Sequence, residues 1–89
     1  MFARKVVIQN AAGFHVRPAQ LFVEKAGEFG APITVKTEAG AEVDAKSILG
    51  LMALGLEKGM IITIEANGAD EAEAVQALAA LVESKFGEE

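Results

Sequence analysis

A histidine, an arginine and a proline lie within four residues of one another, and together they could handle a phosphoryl group. His15 is the only histidine of the chain, and Arg17 and Pro18 follow it in the segment GFHVRPAQ, residues 13–20. A neutral imidazole is a competent nucleophile toward phosphorus. A guanidinium stays charged and presents donors in a fork that matches phosphate oxygens. Phosphoryl capture on His15, with Arg17 as the stabilising cation, is therefore one interpretation of this segment.

The same segment marks the change from a strand pattern to a helix pattern. β-Branched side chains indicate a strand over residues 3–8, and apolar residues recur at helical spacing from Ala19 to Phe29, before a terminating Gly30. Pro18 suits the first turn of that helix, where its missing N–H costs nothing. The unpaired amides and the dipole at this helix start would favour a dianion beside the histidine.

A plainer interpretation of the histidine stays open. A lone histidine before a helix is commonly a surface or capping residue. One histidine without any cysteine cannot supply the three or four ligands that zinc typically needs, so we expect no metal and no cofactor. Composition permits a Ser-His-Asp arrangement, although so short a chain has little room for an acyl substrate. Chemistry alone therefore leaves His15 undecided between a phosphoryl carrier and a surface residue.

Length and composition restrict the class of protein. The 89 residues suit one domain over residues 1–89, and 52% apolar with 24% charged residues is a globular composition. The absence of cysteine suits the reducing cytoplasm, and a net charge of −5 argues against nucleic acid. No apolar run approaches the roughly 20 residues that span a bilayer. We expect a cytoplasmic protein without direct membrane insertion.

The remaining patterns predict the order β-α-β-β-α-β-α. Alternation over residues 33–38 and 42–45 predicts a hairpin, and the run at 60–66 predicts a further strand. Asp70 is placed to cap the last helix, with Glu73 as its capping-box partner. Four strands and two long helices indicate an α+β fold. This would be an open-faced β-sandwich, with a four-stranded, mostly antiparallel sheet covered on one face by helices.

A short apolar helix is predicted over residues 48–54, with Ser47 as its N-cap. Three of its side chains can share an inward stripe: Ile48, Leu51 and Leu54. Leu49 and Met52 would then face outward. Core packing on both faces is the alternative, but exposed apolar clusters tend to mark interfaces. We therefore expect Leu49 and Met52 to form an exposed patch.

Two segments together resemble the HPr family, the histidine-containing phosphocarriers of the phosphoenolpyruvate:sugar phosphotransferase system. Residues 13–19, GFHVRPA, match the family's active-site signature. Residues 46–55, KSILGLMALG, match its second signature, around a regulatory serine. The similarity covers the full length, and the interval between the motifs also fits. Two motifs at the right separation favour the phosphoryl-carrier interpretation of His15.

The resemblance implies a mechanism and partners. HPr accepts a phosphoryl group from phosphorylated enzyme I and passes it to the IIA domains of sugar permeases, so it is a transfer intermediate rather than a stand-alone enzyme. His15 would carry the group on Nδ1 and Arg17 would neutralise it. The backbone amides of Val16 and Arg17 would receive its oxygens. Ser47 would be the position that HPr kinase/phosphorylase modifies in some bacteria, and the protein is expected to be a monomer.

The resemblance also predicts a docking surface beside the histidine. Its five residues would come from the two helices concerned: Val16, Arg17, Gln20, Leu49 and Met52. Three positions depart from the usual family pattern. Phe14 replaces a smaller aliphatic residue, Ala12 replaces a common serine or threonine, and Val16 is bulkier than the common alanine. None of these departures removes the nucleophile or the arginine.

Two other functions are alternatives. The protein could be mainly a regulatory binding module in catabolite or nitrogen control, switched through Ser47 and contacting a transcription factor. The order β-α-β-β-α-β also resembles an RNA-recognition sheet. The acidic balance and the absence of paired aromatic strand motifs argue against the RNA module.

Overall fold

Four strands form one antiparallel sheet in a computed structural model that describes residues 1–11 and 13–87. The strands are β1 (Phe2–Val7), β2 (Ile33–Thr37), β3 (Glu42–Asp44) and β4 (Ile61–Ala66), in the spatial order β1-β4-β2-β3. The helices are α1 (Val16–Ala26), α2 (Ile48–Ala53) and α3 (Glu71–Glu83), and a tight turn with positive φ values covers Lys85–Gly87. This order and this sheet confirm the predicted open-faced α+β sandwich.

The last strand of the chain lies in the middle of the sheet. Val6 of β1 pairs with Ile62 of β4, and Val35 of β2 pairs with Ile64 on the other side of the same strand. All four side chains are buried. Because β1 ends where the antiparallel β4 begins, the loop after β1 and the segment before β4 meet at one end of the sheet. The segment GFHVRPAQ leaves the sheet at this end.

The two faces of the sheet differ in polarity. Alternate strand residues pack against helices, where α1 contributes Phe22 and α3 contributes Val75 and Leu78 to the buried core. The other face carries polar pairs, among which Lys36 donates to Glu65 at 3.0 Å. This hydrogen bond to a carboxylate raises the pKa of Lys36.

None of the helices in the described ranges is long and apolar enough to cross a membrane.

The first helix is shorter at its C-terminal end than the sequence pattern predicts. It ends at Ala26, and Gly27 occupies the C-cap. The amides of Glu28 and Phe29 bond to carbonyls only three residues back, which tightens the chain into a turn. Glycine is a weak helix former, so Gly27 favours an end of the helix here. The Phe29 carbonyl accepts a hydrogen bond from the Nζ of Lys46 at 2.8 Å, a tertiary contact in place of a helical one. The predicted end at Phe29, with Gly30 as terminator, is wrong.

Asp70 is the N-cap residue of α3, as predicted, but its side chain makes no capping hydrogen bond. Its two carboxylate oxygens instead accept from the amides of Gly30 and Ala31, at 2.9 and 3.1 Å. The side chain that does reach back at this helix start is Glu71, which accepts from the Gly68 amide at 3.0 Å. The predicted capping box with Glu73 is therefore wrong. The Asp70 backbone, at φ −105° and ψ 27°, lacks the extended conformation of most capping residues.

Candidate functional site

His15 stands at the N-terminus of α1. It is the N-cap residue, with an extended backbone at φ −77° and ψ −171°. Its carbonyl accepts the Ala19 amide at 3.0 Å, which is the first intrahelical hydrogen bond. Its side chain makes no capping bond to the first turn, and the residue is exposed. An imidazole is thus presented at the positive end of an 11-residue helix.

Two backbone amides beside the histidine have no acceptor among residues 1–11 and 13–87. Val16 and Arg17 are the first two residues of α1, and Pro18 is the third. The first amides of a helix have no intrahelical acceptor, and proline has no N–H. The next amide, that of Ala19, is already bonded to His15. The donors that this helix start offers to an anion are therefore the amides of Val16 and Arg17.

Arg17 adds a positive charge to the same turn. Its side chain is exposed, and it takes part in none of the ion pairs formed within residues 1–11 and 13–87. No carboxylate in that part of the chain lies within 4.0 Å of its guanidinium nitrogens. The helix start therefore combines a nucleophilic ring, a fork of charged donors and two neutral donors. This combination suits the binding and transfer of a small dianion.

The loop that carries the histidine lies directly against the segment before β4. The Phe14 amide donates to the Leu56 carbonyl at 3.0 Å. Gly13 has a positive φ of +66°, and a Cβ at this position would lie 2.8 Å from the Cα of Glu57 and closer still to the Leu56 carbonyl oxygen. The Asn10 side chain also donates to the Gly13 carbonyl. Glycine at position 13 is therefore required both by the backbone conformation and by this close approach.

Phe14 is part of the hydrophobic core. It is 4% exposed, and its ring centroid lies 5.3 Å from that of Phe22 and 5.0 Å from that of Phe86. The larger side chain at this position thus fills space beneath the loop. Val16, the other bulky departure, is 56% exposed. The third departure, Ala12, lies outside the described residues.

Ser47 is the N-cap of α2, as predicted. Its hydroxyl accepts the Gly50 amide at 3.1 Å. A Cβ at Gly50 would lie 3.2 Å from that hydroxyl and 3.1 Å from the Cβ of Val43, so glycine leaves room for the cap. The serine residue itself is half-buried. The Ser47 hydroxyl therefore stabilises the N-terminus of α2 by accepting one of its unpaired amides.

The predicted inward side of α2 is confirmed for Leu51 and Leu54, and the outward side for Leu49 and Met52, whereas Ile48 is only half-buried. Leu51 is fully buried, whereas Leu49 is 80% and Met52 40% exposed. The five residues predicted for docking are all exposed: Val16, Arg17, Gln20, Leu49 and Met52. They lie on α1 and α2, and these two helices contact each other. The exposed apolar side chains of α2 and the charged start of α1 thus belong to neighbouring elements.

The site is an exposed surface rather than a cavity. Two surface depressions, of about 410 and 470 Å³, lie at the β2–β3 edge and beside the hairpin turn, and neither is lined by His15 or Arg17. Within residues 1–11 and 13–87, no group of three or more histidine, cysteine, aspartate or glutamate side chains could hold a metal ion.

Sequence reasoning missed two contributors to the loop. Asn10 lies three residues before Gly13, a spacing typical of side-chain-stabilised turns, and that signal could have identified it. The second contributor is Phe86, which is 6% exposed. Its contact with Phe14 joins opposite ends of the chain, so no local pattern could have predicted it.

Comparisons of sequence agree along the length of the chain. The family model for the PTS HPr component phosphorylation site matches residues 2–84. The phosphocarrier protein HPr of Neisseria meningitidis is 41% identical over 88 residues, which cover 99% of this chain and 98% of that protein. The phosphocarrier protein NPr of Proteus mirabilis is 40% identical over 86 residues, covering 97% and 96% respectively.

Comparisons of structure agree with those of sequence. The crystal structure of HPr-C-His from Thermoanaerobacter tengcongensis matches with a TM-score of 0.95 and 46% identity, and covers 100% of this chain and 99% of that one. An HPr dimer from the same organism matches with a TM-score of 0.78 and 45% identity, covering 99% and 100%. The likeness therefore extends to the whole fold.

Proposed function

Because the chain belongs to the HPr family of phosphocarrier proteins, we propose that His15 accepts a phosphoryl group from phosphorylated enzyme I and donates it to IIA domains of sugar permeases. The observation that carries this proposal is the geometry of the α1 start. There His15 is an exposed N-cap residue, and the amides of Val16 and Arg17 lie open beside it. The protein is then a phosphoryl-transfer intermediate rather than a stand-alone enzyme.

Each transfer exchanges one bond to phosphorus for another. The lone pair on Nδ1 of the neutral imidazole attacks phosphorus, and the Nδ1–P bond forms as the bond between phosphorus and enzyme I breaks. Nε2 keeps its proton throughout. In the second transfer a nucleophile of the IIA domain attacks, and the Nδ1–P bond of His15 breaks. The phosphoryl group passes on without release as free phosphate.

Positioning and electrostatics supply most of the assistance that this chemistry needs. The guanidinium of Arg17 neutralises charge on the transferring group, and the amides of Val16 and Arg17 receive its oxygens. All these donors are exposed, so water screens their attraction for the group. Moderate stabilisation suits a carrier, because a group held too tightly would not leave.

Incubation with phosphoenolpyruvate and enzyme I tests the proposal. We expect one phosphate per chain that is labile in acid and stable in base, as phosphohistidine is. The His15→Ala variant should lose this phosphate while keeping its fold by circular dichroism. Ser47→Ala is the matched control and should retain it. Persistence of the acid-labile phosphate in His15→Ala would refute the assignment of the carrier residue.

The docking surface comprises Val16, Arg17, Gln20, Leu49 and Met52. Its exposed apolar residues on α2 would contact enzyme I and IIA domains, and Arg17 would meet the phosphoryl group between the two proteins.

The protein acts as a monomeric single domain of residues 1–89 in the cytoplasm, without nucleic acid as a partner. Sedimentation equilibrium tests the assembly, and a dimer at micromolar concentration would contradict it.

A regulatory role for Ser47 is the second candidate. It is favoured by the position of the Ser47 hydroxyl, which caps the helix that carries Leu49 and Met52. A phosphate there would end the hydroxyl's present contact with Gly50 and would place a dianion beside the docking surface. Incubation with HPr kinase/phosphorylase and ATP should modify Ser47 and not the Ser47→Ala variant. An unmodified wild-type protein would remove this candidate, including its link to a transcription factor.

A further inference from the structure

Three aromatic rings, one of them from the other end of the chain, meet beside the histidine loop. Phe14 precedes His15, Phe22 lies on α1, and Phe86 lies in the turn after α3. The ring of Phe14 lies 5.3 Å from that of Phe22 and 5.0 Å from that of Phe86, which it meets edge to face. Such tilted and edge-on arrangements are favourable for aromatic pairs. The C-terminal turn is thereby joined to the loop.

The backbone of that turn is held in an unfavourable conformation. Lys85 and Phe86 have φ values of 59° and 56°, and they are the only residues other than glycine with a positive φ in the described part of the chain. Side-chain-bearing residues persist in this region only where their surroundings impose it. Phe86 is 6% exposed, so the burial of its ring offsets the strain. The backbone conformation of the turn thus directs the Phe86 ring into the core.

Phe14 is held from both sides. Its backbone amide donates to the Leu56 carbonyl at 3.0 Å, and its ring lies against Phe22 and Phe86. His15 follows with its Cα about 3.8 Å away, so the position of Phe14 sets where the imidazole leaves the backbone. Phe22 belongs to the same helix that His15 caps. Phe86 is the ring of the three that comes from an independent element.

We propose that Phe86 is a positioning residue for His15 and acts through Phe14. This inference depends on the proposed function, in which His15 carries a phosphoryl group. Loss of the Phe86 ring would leave a gap beside Phe14, and Phe14 could then shift with the loop. The imidazole would lose its alignment with the amides of Val16 and Arg17. A misplacement of 1 Å can slow a transfer reaction by about 100-fold, so a partial shift should have a measurable effect.

Amide hydrogen exchange tests whether Phe86 holds Phe14 in place, and it does so independently of phosphoryl transfer. In Phe86→Ala, exchange at the Phe14 amide should be faster by about tenfold relative to core amides of β4, because the loop opens locally. Phe2→Ala is the matched control, since Phe2 lies at the opposite end of β1 from the loop. It should leave Phe14 exchange unchanged relative to the same core amides. Equal exchange at Phe14 in wild type and Phe86→Ala would overturn the proposal.

Transfer kinetics test the positioning role. We expect Phe86→Ala to lower the maximal rate of transfer from phosphorylated enzyme I by about tenfold, with little change in KM for enzyme I, because the docking residues are untouched. Phe86→Leu, which refills the gap with an apolar side chain, should recover most of the rate. Phe2→Ala should transfer at the wild-type rate. A merely structural role would instead slow Phe86→Ala and Phe2→Ala in proportion to their lost stability.

The possible failures are distinguishable. A wild-type protein that takes no acid-labile phosphate would refute the proposed function, and the positioning role would be overturned with it. A wild-type protein that carries phosphate on His15, beside a Phe86→Ala variant with the same maximal rate, would overturn the positioning role alone. Faster exchange at Phe14 together with a lower maximal rate, and recovery in Phe86→Leu, would support both.

Discussion

Neighbouring side chains of the histidine loop have opposite environments. Phe14 is 4% exposed, whereas His15 is exposed and Val16 is 56% exposed. The backbone is extended at His15 and turns into α1 at Val16, so Phe14 packs inward while the two residues after it lie at the exposed helix start. A buried anchor and a reactive ring can therefore occupy adjacent positions. The anchor holds the loop while the ring stays accessible to a partner.

Gly13→Ala should destabilise the protein by about 2 kcal/mol or more, because a Cβ there meets the backbone of Leu56 and Glu57 as well as an unfavourable φ. Gly55→Ala is the matched control. Gly55 has a similar φ of +63°, but no atom lies within 4 Å of its added Cβ. It should lose only about 1 kcal/mol. Urea unfolding measures both, and equal losses would contradict the close-approach argument.

Arg17→Ala should slow phosphoryl transfer to His15 by about tenfold or more, because a charged donor to the transferring group is removed. Arg17→Lys should give an intermediate rate, since the charge remains and the fork of donors is lost. The free energy of unfolding should stay within about 0.5 kcal/mol of wild type, because the side chain is exposed. Unchanged quench-flow rates in Arg17→Ala would contradict its proposed role.

At the scale of elements, two predicted helix caps have different outcomes. Ser47 caps α2 through the Gly50 amide, as the sequence indicates. Asp70 occupies the N-cap position of α3 but binds the amides of Gly30 and Ala31. The first cap joins residues three positions apart, and the second contact joins residues about 40 positions apart. Asp70 therefore ties α3 to the segment between α1 and β2.

Asp70→Ala should lower the free energy of unfolding by about 1–3 kcal/mol, because two backbone donors lose a charged acceptor. Asp70→Asn keeps one acceptor oxygen and should lose less. Exchange at the amides of Gly30 and Ala31 should accelerate in Asp70→Ala. Exchange that accelerates at the first turn of α3 instead would indicate that Asp70 caps its own helix.

At the scale of the molecule, the topology brings separate segments to one place. The central position of β4 brings the loop after β1 to the segment before β4, where Phe14 meets Leu56. The turn after α3 then adds Phe86 from the other end of the chain. The N-terminal amine of Met1 makes a comparable long-range contact, at 3.1 Å from the Glu71 carboxylate. Such contacts join segments that are far apart in the sequence, so a change at one of them alters the stability of the whole fold.

Glu71→Gln should reduce the loss of stability in acid. The Gly68 amide and the N-terminal amine lower the pKa of Glu71 from its usual 4.5, because both stabilise the carboxylate. The contribution is therefore fully present above the unfolded pKa and disappears as pH falls through the lowered folded value. Urea unfolding from pH 6 to about pH 3 should show a smaller decline for Glu71→Gln than for Glu73→Gln, a control on the same helix turn. Identical declines would contradict this linkage.

The sequence by itself determined the order of elements, the Ser47 cap and the inward and outward sides of α2. These features depend on residues within a few positions of one another, so periodicity and capping chemistry are sufficient to predict them. Only the tertiary structure decided that α1 ends at Ala26, that Asp70 binds Gly30 and Ala31, and that Phe14 packs on Phe86. Each of these depends on a partner far along the chain, and only folding brings that partner within contact distance.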